Sequence, residues 1–144
     1  MNGKIFADTN IIVYAHTSSE PEKYHKIIGI LDNSSLVIST QVLREFINVM
    51  VRKFDLPIKE IKSQIDEIAD ISIIINEDPE LIYNAIEINH VYKYRFHDCL
   101  IIAAALKAGC NTLLSEDMRH GQIINETLTI VNPFTDTLSL KHFP

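Results

Sequence analysis

Lys4-Ile5-Phe6-Ala7-Asp8-Thr9-Asn10 is the stretch that decides the fold. An apolar run of strand length stops at a carboxylate, as a buried strand does when its end faces a crevice. Reading outward, Leu36-Val37-Ile38 predicts a second short strand, and the β-branched run Ile71 to Ile75 a third. Thr112 to Leu114 and Thr127 to Val131 complete the set. Helical patterns lie between them. Pro21 suits the first turn of a helix to Asp32, with Tyr24, Ile27, Ile28 and Leu31 on one stripe. Ser39 or Thr40 caps a helix to about Phe54, whose apolar stripe is Val42, Leu43, Phe46, Ile47, Met50, Val51 and Phe54. Pro57 opens a further helix to about Asp70, and Asp78-Pro79 is a cap and first turn for one through about Asn89. His97 to Ala108 is a very apolar helix that stops at Gly109.

Short apolar strands alternating with helices predict an α/β fold, a three-layer α/β/α domain around a parallel sheet of four or five strands. Right-handed crossovers put every strand-to-helix turn along one sheet edge. Ligands of such folds sit in the crevice beyond the strands' carboxyl ends. Asp8 ends the first strand and Asp117 follows the strand Thr112–Leu114, so both are expected at that edge. With no repeats or Gly/Ser linkers and only four glycines and five prolines, residues 1–134 read as one domain and 135–144 as a C-terminal tail.

The 144 residues, 47% hydrophobic and 22% charged, exclude disorder. The longest apolar run, Cys99 to Leu106, is too short to cross a bilayer, and Asp8 and Asn10 interrupt the first apolar stretch where a leader would need continuity. Cys99 and Cys110 have neither CxxC nor zinc-type spacing, so reduced cysteines and a cytoplasmic location are expected. The net charge of −6 argues at first against a nucleic-acid binder, yet the acidity is regional. Between Ser63 and Tyr92 there are seven acids and no lysine or arginine, leaving thirteen basic and twelve acidic residues elsewhere. Local field governs phosphate attraction, and Lys93, Arg95 and Arg119 stand near the expected crevice.

Asp8, Glu45, Asp98 and Asp117 each interrupt an apolar context. Singly, each has a structural explanation. Asp8 suits a cap for Thr9–His16, Asp98 suits the positive end of its helix, Asp117 a turn, and Glu45 an exposed pair with Arg44. Jointly they fit a crevice better. Two carboxylates 4 Å apart repel by roughly 4 kcal/mol at an effective dielectric near 20, so such a cluster raises its pKa values or binds a cation. An all-oxygen donor set selects Mg2+ or Mn2+ over zinc, and the chemistry it suits best is phosphodiester hydrolysis.

With these residues in place, the sequence resembles the PIN-domain family, and within it the VapC-like toxin nucleases of toxin–antitoxin pairs. Asp8-Thr9-Asn10 at the first strand's end, Glu45 in a helix opened by the Ser39–Gln41 turn, Asp98 before Ile102-Ala103-Ala104-Ala105, and Ser115-Glu116-Asp117 after a Leu-Leu strand carry the resemblance over residues 4–134. It implies a metal-dependent endoribonuclease with Asp8, Glu45, Asp98 and Asp117 around magnesium or manganese. Asp8, Asp98 and Asp117 would be metal ligands, and Glu45 a ligand or the residue that positions the attacking water. The resemblance also implies an RNA substrate, a homodimer and a small cognate antitoxin. Asn10 and Ser115 match supporting polar positions that hold carboxylates or water. Two departures stand out: Arg119 occupies a position where many relatives carry another acid, and Glu116 replaces a more usual amide, as a substitute ligand or a supporting residue.

Other chemistries find no footing. A dehalogenase-type phosphatase needs an acid where Asn10 stands, and a response-regulator receiver needs a lysine after its last strand, where Asn132-Pro133-Phe134 lies. Phosphate-cradling glycine loops and a GxSxG elbow are absent, and Cys99 lacks the electropositive setting of a reactive thiol. The remaining alternative is a catalytically silent PIN-like module that binds RNA or protein. All four acids being present argues against it.

Overall fold

The structure is a computed structural model that describes residues 3–135. The expected tail from residue 135 onward lies, apart from Thr135, outside the described residues. Six strands and six helices follow in the order β1 (Lys4–Ala7), α1 (Thr9–Tyr14), α2 (Pro21–Leu31), β2 (Ser35–Ser39), α3 (Thr40–Arg52), α4 (Ile58–Ile71), β3 (Ser72–Ile75), α5 (Pro79–Tyr92), α6 (Phe96–Lys107), β4 (Thr112–Leu114), β5 (Ile123–Ile124) and β6 (Leu128–Val131).

One six-stranded sheet runs β3-β2-β1-β4-β6-β5, parallel throughout except for β5, which pairs antiparallel with β6. The expected four or five strands are thus corrected to six. Ile123–Ile124 is too short to show any alternation, and its turn, Asn125-Glu126, reaches left-handed φ values of +49° and +65° without the glycine that marks such hairpins. The third strand begins at Ser72 because Ile71 closes α4.

The central strands carry continuous apolar runs because both faces of the sheet are covered. Ile5, Phe6, Val37, Ile38, Leu113 and Leu114 are all fully buried. Helices α1 to α4 pack on one another, α5 pairs with α6, and both α3 and α6 reach β2. Helix α3 shows the logic of the packing: Val42, Phe46 and Met50 fall on one face and lose all contact with water. Burying a side chain the size of Phe46 contributes roughly 2–3 kcal/mol. No helix among the described residues is long and apolar enough to cross a membrane.

Register decides what stands at the sheet's carboxyl edge. Ala7 pairs with Leu114, so the next residues, Asp8 and Ser115, emerge side by side. The backbone N–H of Asp8 donates to the Leu114 carbonyl at 3.0 Å, and that of Ser115 to the Val131 carbonyl at 3.0 Å. The ladder therefore extends one residue past the strands and fixes the first pieces of the site.

Candidate active site

Asp8, Glu45, Asp98 and Asp117 line one cleft of about 240 Å³, together with Thr9, Asn10, Asn48, Val49 and His97. Each carboxylate has its own mount. Asp8 caps α1, its Oδ1 accepting the Thr9 N–H at 2.8 Å. Its Oδ2 accepts the Ser115 hydroxyl at 3.0 Å, and the same Ser115 Oγ accepts the N–H groups of Asp117 and Met118 at 3.3 Å each. Ser115 is fully buried beneath the cleft.

Glu45 rides on the second turn of α3, which starts where the Ser39 side chain accepts the Val42 N–H. Both of its oxygens are partnered. The Thr9 hydroxyl donates to Oε2 at 2.7 Å and the Gln41 amide to Oε1 at 3.1 Å. Gln41 Nε2 also donates to the His97 carbonyl at 3.0 Å, so one buried side chain ties α3 to the start of α6. Asp98 stands in the first turn of α6, only 6% exposed, where the helix end favours negative charge. Arg95 Nε lies 3.5 Å and His97 Nε2 3.2 Å from its oxygens. Asp117 Oδ2 accepts the Asn10 amide at 3.3 Å.

Burial pushes the Asp8 carboxyl from 3.8 up to about 6, against the opposing pull of the Thr9 and Ser115 hydrogen bonds and with a further push from the charges of Asp98 and Glu45. The cleft's four carboxylates are oxygen donors, the chemistry of a site for a hard divalent cation. The carboxylates line the cleft side by side, and no three of them among the described residues are drawn together as a ready-made metal group. The carboxylate chemistry of the set is the kind a hard cation takes. None of the residues between Ser63 and Tyr92, the acidic window, lines this cleft.

The PIN domain family model matches residues 5–124. The chain belongs to the PIN domain family. Among solved structures, this PIN domain superposes on the Mycobacterium tuberculosis toxin VapC20, described as cleaving the sarcin-ricin loop, at 16% identity and TM-score 0.65 over 78% of this chain and 91% of that one. VapBC2 of Rickettsia felis, bound to a promoter DNA fragment, matches at 21% identity and TM-score 0.64, covering 88% and 96%. A toxin–antitoxin complex from Klebsiella pneumoniae matches at 17% and 0.67, covering 90% and 98%. At such identities the likeness is one of fold. No curated protein sequence matches the chain.

Glu116 is the sequence-predicted site residue that the PIN domain does not bring into the cleft. Its carboxylate accepts the Tyr14 hydroxyl at 2.6 Å and the Lys23 ammonium at 2.5 Å. Burial alone pushes this carboxyl up, but those two hydrogen bonds hold it below its usual range. Sequence reasoning also passed over Asn48, whose only signal was its position three residues after Glu45 on the same helix face. Thr9 and Gln41 stood inside recognised segments without their carboxylate contacts being visible. His120 Nδ1 accepts the Asn132 N–H at 3.0 Å, which gives it a place in the loop framework. Burial raises both thiols, Cys110 to about 11, in keeping with core cysteines.

Proposed function

We propose that this PIN domain is a divalent-metal-dependent endoribonuclease that hydrolyses RNA phosphodiester bonds, acting as the toxin of a type II toxin–antitoxin pair. The observation that carries the reading is the convergence of Asp8, Glu45, Asp98 and Asp117 on one cleft at the carboxyl edge of a parallel sheet. The toxin–antitoxin assemblies among its structural neighbours support an antitoxin partner. The reading includes a homodimer in the cytoplasm.

Asp8, Asp98 and Asp117 would hold Mg2+ or Mn2+. The ion, when bound, supplies Lewis-acid polarisation of a phosphate oxygen and eases deprotonation of water. The chain does the rest. Thr9 and Ser115 keep Asp8 pointed at the cleft, and Asn10 steadies Asp117. Glu45, with one lone pair on each oxygen already engaged, keeps others free to orient a water or join the ligands. Arg95 and His97 are exposed beside Asp98 and are placed to meet a phosphate at the cleft's mouth.

The test is cleavage of matched RNA and DNA oligonucleotides by protein freed of any partner, with and without Mg2+ or Mn2+, alongside Asp8→Asn. Metal-stimulated RNA products that vanish in the variant are expected. Binding of RNA without products would establish the silent module instead, and preference for the substrate lacking 2′-hydroxyls would replace RNA by DNA. Light scattering reads the dimer, and a small open reading frame directly upstream reads the antitoxin.

A further inference from the structure

Glu116 and Asp117 are neighbours in the chain, yet their carboxylates leave the loop on opposite sides. Asp117 lines the acidic cleft, whereas Glu116 meets Tyr14 of α1 and Lys23 of α2. The Lys23 ammonium is half-buried among several partners. It donates to the Tyr14 hydroxyl at 3.2 Å, stands 3.7 Å from Glu20, and lies over the rings of Tyr14 and Phe134 at 4.6 and 4.9 Å. Those two rings meet edge-on at 5.3 Å. Four separate segments therefore converge on one ammonium group: α1, α2, the loop after β4 and the segment after β6.

An exposed ion pair contributes little, but this one is three-quarters covered, with side chains 27% and 25% exposed, and a phenol completes its geometry. What it fixes is direction. On the inner side, Ser115 Oγ holds the Asp117 N–H; on the outer side, Glu116 is fastened to α1 and α2. The peptide unit joining the two acids is gripped from both faces, and rotating Asp117 out of the cleft requires one grip to open.

The geometry points to Glu116, Lys23 and Tyr14 as positioning residues that hold Asp117 in the cleft and keep a fifth carboxylate out of it. None of the three lines the cleft, so they act through Asp117. This rests on the reading of the cleft as a metal site. It also gives the carboxylate at position 116 a place outside the cleft, fastened to Lys23 and Tyr14.

Manganese binding to the full chain, followed by electron paramagnetic resonance or calorimetry with no RNA present, tests this directly. Lys23→Ala should weaken Mn2+ binding about tenfold or more, the scale on which outlying partners of metal ligands act, and Lys23→Arg should recover most of it. Glu116→Gln, whose amide oxygen still accepts both donors, should stay within about threefold of wild type. In an Asp117→Asn background, Lys23→Ala should have no further effect, the signature of action through that one residue. Wild-type Mn2+ affinity in Lys23→Ala overturns the inference, and so does a loss in Glu116→Gln as large as that in Asp117→Asn, which would make Glu116 a ligand. Should Lys23→Ala fail to fold, Tyr14→Phe removes one hydroxyl and keeps the ring; unchanged affinity there overturns it equally. If Asp8→Asn leaves Mn2+ binding intact, the reading of the cleft itself fails. If Asp8→Asn abolishes binding while Lys23→Ala keeps wild-type affinity, only the positioning role fails.

Discussion

Ser115 Oγ lies 3.0 Å from Asp8 Oδ2, a contact across 107 positions that joins the ends of two adjacent strands. The same buried oxygen accepts the N–H groups of Asp117 and Met118. Ser115→Ala removes all three partners at once and leaves two backbone donors short of theirs. A loss of about 1–3 kcal/mol is expected, together with a fall in metal-stimulated cleavage of about tenfold or more. Chemical denaturation and single-turnover kinetics check the two parts separately.

Asp8 gives a pH dependence with a defined sign. Its folded-state pKa of about 6 lies above the ordinary 3.8, so the native protein binds this proton more tightly than the unfolded chain does. Its contribution is therefore unfavourable at neutral pH and is relieved as pH falls through about 6, with no penalty left below about 3.8. The ceiling is about 3 kcal/mol, and access of cleft water reduces it to about 1–2 kcal/mol. Asp8→Asn should accordingly raise the melting temperature of metal-free protein at neutral pH and lose that advantage near about pH 4. Melts in chelator at the two pH values decide it; a destabilised variant at neutral pH would refute the assignment.

Divalent metal should act against the same proton. Ligands must be ionised to bind, so Mn2+ should raise the melting temperature near about pH 7.5 and progressively less toward about pH 5, where Asp8 holds its proton. Asp8→Asn should remove the metal-dependent shift at both. A shift that is unchanged by pH, or that survives in the variant, would place the ion elsewhere.

Gln41 is the third target. Its amide N–H groups reach both Glu45 and the His97 carbonyl, one residue before Asp98. Gln41→Leu keeps the volume and loses both bonds, with an expected cost of about 1–2 kcal/mol. Cleavage should slow about tenfold with KM little altered, because the residue sets the spacing of two carboxylates and is not expected to touch RNA. Steady-state kinetics against RNA concentration would reveal a KM effect instead.

Much of this was readable from the chain because the fold is built from local signals. Ser39 does cap α3 and Asp78 does cap α5, and Pro21 and Pro79 stand in first helical turns. The apolar runs became strands because covered strands need no alternation. What escaped lay in features without a local signature. β5 has two residues, and its left-handed turn is made by Asn125-Glu126. α6 starts at Phe96 with no side-chain cap on its first turn, one residue ahead of its expected start. In the site, the four acids were legible because each breaks an apolar run. The orientation of Glu116 was not, since its partner Lys23 lies 93 positions away and nothing near Glu116 announces it.

The sheet order has a consequence for synthesis. β1 is the first strand to be translated, yet it lies between β2 and β4, and β4 in turn needs β6 beside it. A chain emerging from the ribosome folds from its N-terminal end, so Asp8 and Glu45 are exposed to the cell well before Asp98, and Asp117 comes last. The cleft has no floor until Ser115 is seated between β1 and β6. The four acids therefore meet only after the chain through β6 has been made, and any chemistry of the cleft waits for that segment.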